Sequence, residues 1–270
     1  KIDASILSAA GSNLKLIANY GAGYDHIDIK TALQRGIIVT NTPSVLTTDT
    51  ADMTMALILA IPRKLREGHE EMQSGNWKGW SPSAMIGMRI TGKKLGILGM
   101  GRIGQAIAKR AIAFDLDINY HNRRRLHENI EKSLSAKYWE NLEEMLAAVD
   151  ILVVSASLNP SSLYLLNAKY LGKMKHSAYI VNISRGEIID QKALVKQLKN
   201  GLLGGAGLDV YDSEEVIGSD FKSLKNVFLL PHMGSSTLEG RIEMGEKVII
   251  NIKTYLDGHR PPDQIVPSML

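Results

Sequence analysis

The run Leu95-Gly-Ile-Leu-Gly-Met-Gly-Arg-Ile-Gly-Gln105 decides how the rest of the chain is read. Residues 95–98 have the continuity of a buried strand, and helical spacing begins at Gln105. Between them stand Gly99, Gly101 and Gly104, interleaved with Met100, Arg102 and Ile103. In that frame the first glycine permits a tight turn, the second lets the backbone approach a pyrophosphate, and the third lets the helix pack on the strand. The helix N-terminus adds amide donors and partial positive charge, which makes Gly99, Gly101, Arg102, Ile103 and Gly104 candidate cofactor-binding residues.

Working outward, strands are expected over 116–120, 151–155, 178–183, 206–210 and 227–230, with helical spacing over 105–114, 142–149 and 191–199. Several of the strands are short continuous apolar runs, as strands covered on both faces are, so a doubly wound parallel sheet of Rossmann type between helix layers is expected. Upstream, residues 48–65 are apolar on nearly all faces, which predicts a helix buried in a large core or a subunit interface. A loop over 75–82 with Trp77, Trp80 and Pro82 follows it. Residues 1–7 read as a helix, and 14–19 and 37–40 as strands. The last long helix is announced by Ser236 and Glu239 at capping-box spacing. Leu238, Ile242, Gly245, Ile249, Ile252 and Leu256 then recur in steps of four and three. The division that results is a dinucleotide-type domain over 45–235 inserted into a smaller lobe of 1–44 and 236–270.

Composition narrows the classes. At 270 residues the chain is long enough for two cores, and 44% hydrophobic with 22% charged residues excludes wholesale disorder. No apolar run approaches the roughly 18 residues of a membrane span. The absence of cysteine excludes a disulfide scaffold, a thiolate metal site and a cysteine nucleophile, and is compatible with a reducing cytoplasm. No metal site is expected. Net charge is +4, but Lys and Arg are scattered and the longest basic run is Arg123–Arg125, so nucleic acid is not indicated.

That basic run carries a reading of its own. The strand over 116–120 leads to His121, Asn122, Arg123 and Arg124, near where an enzyme selective for NAD places the acid that holds the ribose 2′-hydroxyl. There is no acid here. Arginines can bind a 2′-phosphate by charge-assisted hydrogen bonds, so NADP is expected over NAD, with Asn122, Arg123 and Arg124 at the adenosine end.

Asn19-Tyr-Gly-Ala-Gly-Tyr-Asp25, Gly99-Met-Gly-Arg-Ile-Gly104, Asn182-Ile-Ser-Arg-Gly186, Gly207-Leu-Asp-Val210 and Pro231-His-Met-Gly-Ser-Ser236 follow one another in an order and spacing that resemble the D-isomer-specific 2-hydroxyacid dehydrogenases. Trp77-Lys-Gly-Trp80 with Pro82, and Tyr120-His-Asn-Arg123, are similar to the glyoxylate and hydroxypyruvate reductase branch. The resemblance covers essentially the whole chain and implies hydride transfer from nicotinamide to the keto carbon of a small 2-oxo acid.

It also implies roles. Arg185 would bind the substrate carboxylate and carbonyl oxygen, since a planar guanidinium offers paired donors to an anion. His232 would donate the accompanying proton, and Glu214 would hydrogen-bond His232. The backbone amides of Ala22 and Gly23 would meet the carboxylate, and Asp209 and Gly234 would border the cofactor. A flavodoxin-like substrate lobe, truncated at its N-terminus, and a homodimer built on 48–65 and 75–82 are implied as well.

Glu215 stands where the family usually has proline, so the acid assigned to His232 could slip by one residue. An NAD-dependent enzyme for 3-phosphoglycerate or D-lactate, and a dinucleotide-sensing scaffold of the same fold, are the alternatives.

Overall fold

The computed structural model describes residues 1–212 and 219–267. It has two compact units, Thr50–Gly234 and Lys1–Asp49 with Ser235–Leu270. In chain order the strands are β1 (Leu16–Ala18) and β2 (Ile38–Thr40) in the smaller unit. The larger unit has β3 (Lys94–Leu98), β4 (Asp117–His121), β5 (Lys137–Tyr138), β6 (Ile151–Val154), β7 (Tyr179–Asn182), β8 (Gly205–Leu208) and β9 (Val227–Leu229).

The larger unit is built on a seven-stranded sheet of order β5-β4-β3-β6-β7-β8-β9, and every neighbouring pair is parallel. The chain leaves β3 for β4 and β5, then returns to lay β6 on the other side of β3. Strand order therefore reverses between β3 and β6, and ligands of open α/β sheets bind outside the carboxyl ends of the strands at such a switch. Both faces are dry. Leu95, Ile97, Ile151, Val153 and Val181 lie in one apolar cluster, whereas Leu98, Leu152, Val154, Ile180 and Leu208 lie in the other, the two-residue alternation of strands buried on both sides.

The apolar helix is shorter than its pattern suggests. It spans Thr47–Ala60 and stops there because Pro62 follows, and the residue before a proline is pushed out of helical backbone. Leu57, Ile58 and Ile61 join the cluster that holds Leu95 and Ile97, so this surface is covered by its own sheet. A second helix, Leu65–Ser74, was not expected, since its sequence is mostly polar and only Leu65 and Met72 are large and apolar. The edge strand β5 was missed for its length alone.

In the smaller unit β1 and β2 pair in parallel. Asp3 caps the first helix, Ala4–Ala9, by accepting from the amides of Ser5 and Ile6, which moves its start past the expected residue 1. A further unexpected helix, Ile29–Gln34, starts at Asp28 in the same manner. Leu7, Ile27, Ile29, Ala32, Ile37, Val39 and Ile265 form the local core.

The long helix Leu238–Leu256 corrects the capping-box reading. Its cap is Thr237, whose Oγ1 accepts from the Gly240 amide at 2.9 Å and donates to Asp49 Oδ2 at 2.7 Å. Ser236 instead accepts from Arg241 Nη2 at 3.0 Å. The helix buries Gly240, Met244 and Asn251, with Asn251 Nδ2 donating to Asp263, and so turns its Leu238, Ile242, Ile249 and Leu256 stripe outward. Among the described residues no helix is long and apolar enough to cross a membrane, and no group of three acidic or histidine side chains could hold a metal ion.

Candidate active site

The glycine turn is closed by two strands that are far apart in sequence. Gly99 leaves β3 with φ of 98°, a backbone conformation that favours glycine, and a Cβ there would stand 2.6 Å from Ala156 Cα. Ser155, at the end of β6, donates through Oγ to Gly99 O at 2.6 Å. At Gly104 a side chain would collide with the Gly99 carbonyl, so helix Arg102–Ile112 can start against the strand only without one. Gly101 differs, because the space around its missing Cβ is open. It also caps the helix without a side-chain partner, leaving the first-turn amides facing outward. An exposed glycine at a helix N-terminus, over a switch point, is a cradle that fits a pyrophosphate. Arg102 is exposed and Ile103 half-buried beside it.

Asn122 ties the second strand to this cradle, its Oδ1 accepting from the Met100 amide at 2.7 Å. Arg123 and Arg124 follow, both exposed and without a hydrogen bond or ion pair to any described residue. Arg125 is different. It makes a forked pair with Glu131, Nε to Oε1 at 2.9 Å and Nη2 to Oε2 at 2.7 Å.

Further along the same sheet edge, Asn182 ends β7 buried, and its side chain shapes the turn that follows. Its Nδ2 donates to Arg185 O at 2.9 Å, and its Oδ1 accepts from the Ser184 amide at 3.1 Å. Arg185 is half-buried, and its Nη1 donates to Ser184 O at 2.8 Å. A Cβ on Gly186 would overlap the peptide joining Tyr211 to Asp212, so the Arg185 turn lies directly on the chain leaving β8. Tyr211 holds that chain in place, donating to Leu230 O at 2.7 Å.

Asp209 follows β8 fully buried, and its two oxygens accept from the amides of Met233 (2.8 Å) and Gly234 (2.7 Å). Those bonds fix the turn in which exposed His232 takes left-handed backbone, φ 54°. Non-glycine residues rarely adopt this conformation, and they cluster where a site over-determines it. Asp209 and Gly234, both named from sequence as bordering the cofactor, are thus bonded to each other. Glu214 and Glu215 lie outside the described residues.

Ala22 and Gly23 belong to the smaller unit, in the loop after β1. Asn19 Nδ2 donates to Gly21 O and Gly23 O, and Asn41 Nδ2 to Ala22 O, so the carbonyls are turned inward. The Ala22 and Gly23 amides enter no backbone hydrogen bond among the described residues.

The profile of the D-isomer specific 2-hydroxyacid dehydrogenase NAD binding domain matches residues 55–234. The chain belongs to this family. Glyoxylate reductase of Pyrococcus furiosus is 44% identical over 266 residues, 97% of this chain and 78% of that protein. Among solved structures, the NADPH-dependent glyoxylate/hydroxypyruvate reductase of Sinorhizobium meliloti, in complex with NADP and malonate, is 36% identical with a TM-score of 0.90, covering 97% of this chain and 81% of that one. A protein of Thermus thermophilus is 41% identical with a TM-score of 0.91, covering 98% and 83%. The chain is an NAD(P)-dependent oxidoreductase of the 2-hydroxyacid dehydrogenase type, and its cofactor is a nicotinamide dinucleotide.

Sequence reasoning about this dehydrogenase missed Ser155 and Tyr211. Ser155 closes and Tyr211 directly follows a strand that was expected, and position alone could have flagged them. It also missed Glu131, which sits buried under the Arg125 fork. The Arg125 guanidinium, and then the Tyr120 hydroxyl, hold its carboxyl down to about 2, from an ordinary value of 4.5. Burial, and then the bond to Glu131, push the Tyr120 hydroxyl up to about 12, so it stays a donor.

Because Glu131 gives up its proton more readily folded than unfolded, its stabilising contribution is complete above the ordinary value and is lost as pH falls toward about 2. An Arg125→Ala variant should therefore have a lower urea midpoint at pH 7, and its deficit against the parent should shrink to roughly half by pH 3. A deficit equally large at both pH values would show that the pair does not titrate in this way.

Proposed function

We propose that this dehydrogenase reduces a small 2-oxo acid of the glyoxylate or hydroxypyruvate type to the D-2-hydroxy acid, with NADPH preferred over NADH. The observation that carries the reading is the pair Arg123 and Arg124, exposed on the turn after β4, with Asn122 fastened to the glycine turn. No acid stands there to accept from a ribose hydroxyl or repel a 2′-phosphate. Gly99, Gly101, Arg102, Ile103 and Gly104 would hold the pyrophosphate, and Asp209 with Gly234 would border the nicotinamide end. The bound cofactor supplies the hydride.

Everything else is done by this chain's own groups. The Arg185 fork orients the carboxylate and draws electron density toward the carbonyl oxygen, leaving the carbon more receptive. A ring nitrogen of His232 passes its proton to that oxygen as the carbon accepts the hydride, so the oxo acid leaves as a hydroxy acid with its charge unchanged. Glu214 would steady the imidazole.

The test is kcat/KM with NADPH and with NADH over a panel of 2-oxo acids. One charge-assisted contact to the 2′-phosphate is worth about tenfold or more, so NADPH should lead by at least that factor. Equal use of both cofactors would defeat the preference, and inactivity on every 2-oxo acid would defeat the substrate class.

Lysine at position 185 keeps the charge but not the fork. Arg185→Lys should lower kcat/KM about ten- to a hundredfold, with KM for the oxo acid raised. Values within about twofold of the parent would make Arg185 structural.

We also assign a homodimer. Helix Thr47–Ala60 is consumed by its own sheet, but Leu65 (54% exposed), Trp77 (55%), Trp80 (84%) and Ile86 (64%) offer apolar surface that a second copy would cover. Sedimentation as a monomer at micromolar concentration would overturn this assignment.

A further inference from the structure

The turn that carries Arg123 and Arg124 is fastened at both of its ends. At its start, Asn122 is held from both sides: its Oδ1 accepts from the Met100 amide at 2.7 Å, and its carbonyl accepts from the Tyr138 hydroxyl at 3.3 Å. At its end, the Leu126 amide donates to the Tyr120 hydroxyl at 3.0 Å. Arg125, also exposed, differs from Arg123 and Arg124 in being held in its fork with Glu131, and its guanidinium lies 5.6 Å from the centre of the Tyr138 ring. Tyr120 itself donates to Glu131, so one buried carboxylate holds both the end of the turn and the arginine before it. Tyr120 and Tyr138 meet ring to ring at 5.3 Å and close the arrangement.

A turn with three consecutive arginines has reason to splay, because like charges repel and each long side chain resists confinement. Here the third arginine is neutralised from below, and the backbone of the other two is pinned on both flanks. An anion arriving at the tip meets donors whose supporting backbone has already lost its freedom, and pre-ordering of this kind raises affinity without adding a contact.

We infer that Glu131, with Tyr138, is a positioning residue for cofactor choice: the Glu131–Arg125 fork and the Tyr138–Asn122 bond hold the Arg123–Arg124 tip ready for a 2′-phosphate. The inference rests on the proposed preference for NADPH. It adds that the preference depends on residues that never touch the phosphate.

The experiment compares KM and kcat with NADPH and NADH, and dissociation constants for 2′,5′-ADP and 5′-AMP, in the parent and in Glu131→Gln, Tyr138→Phe and Arg123→Ala. Glu131→Gln should raise KM for NADPH and the 2′,5′-ADP dissociation constant about tenfold, while kcat with NADH and 5′-AMP binding stay within about twofold. Tyr138→Phe loses a single hydroxyl and should move the same ratio by a few-fold in the same direction. It keeps the test decisive if Glu131→Gln folds poorly. A general loss of structure would weaken both nucleotides alike, which overturns the inference. If Arg123→Ala abolishes the preference but Glu131→Gln and Tyr138→Phe leave it intact, the inference falls and the cofactor assignment stands. A parent without any preference overturns both.

Discussion

Replacing His232 with alanine lowers turnover on a 2-oxo acid by about 10²–10⁴-fold, the span over which a positioned general acid acts, while the dinucleotide still binds. The local geometry makes this a clean measurement. His232 is exposed and its imidazole is no part of the core. Its left-handed backbone is imposed from outside by Asp209, which takes the amides of the next two residues and would go on doing so in the variant. The loss should therefore fall on kcat, and the dissociation constant for NADPH, read by fluorescence titration, should stay within about twofold. A variant that turns over at the parent rate would remove His232 from the proton transfer.

Gly186→Ala is expected to cost at least about a hundredfold in kcat/KM, although alanine adds a single methyl. That methyl would need the space occupied by the Tyr211–Asp212 peptide, and a backbone cannot rotate aside as a side chain can. Either the Arg185 turn lifts or the chain after β8 retreats, and Tyr211 resists the second through its bond to Leu230. A displacement of about 1 Å in a guanidinium that must face a carboxylate is enough for such a loss. Dinucleotide affinity should change little, because the glycine turn lies at a different strand end. Parent-like kcat/KM in Gly186→Ala would mean that the two segments separate freely and that their contact does not fix Arg185.

The sheet was legible because its strands are nearly pure apolar runs. Residues 151–154 read as a strand in any window, and their alternation between two cores is what such a run must do when both faces are covered. The polar helix Leu65–Ser74 and the two-residue strand β5 were not legible, since the first offers only Leu65 and Met72 as large apolar positions and the second is too short to show a period. Thr237 took the cap expected of Ser236 through its partner Asp49, nearly two hundred residues away, which no local window contains.

The candidate site divides in the same way. Gly99, Gly101 and Gly104 are marked by spacing, and the arginines after β4 by the missing acid. That Arg125 belongs to Glu131 and not to the exposed tip was hidden, because three adjacent arginines look alike until a buried carboxylate selects one. The left-handed backbone of His232 was equally hidden, as the bonds that enforce it come from Asp209 across the sheet edge.

The wall behind Gly99 is supplied by Ser155 and Ala156, 56 residues further along the chain. The glycine signature is thus local as text and non-local as an object. While β6 is unpaired, the turn after β3 has no hydroxyl to seat its carbonyl and no backbone to set its depth, however well the adjoining helix has formed. Competence to take up a dinucleotide is acquired only when the strand that arrives after the longest detour in the sheet is laid down. A chain without that pairing carries the signature but lacks the wall that shapes it.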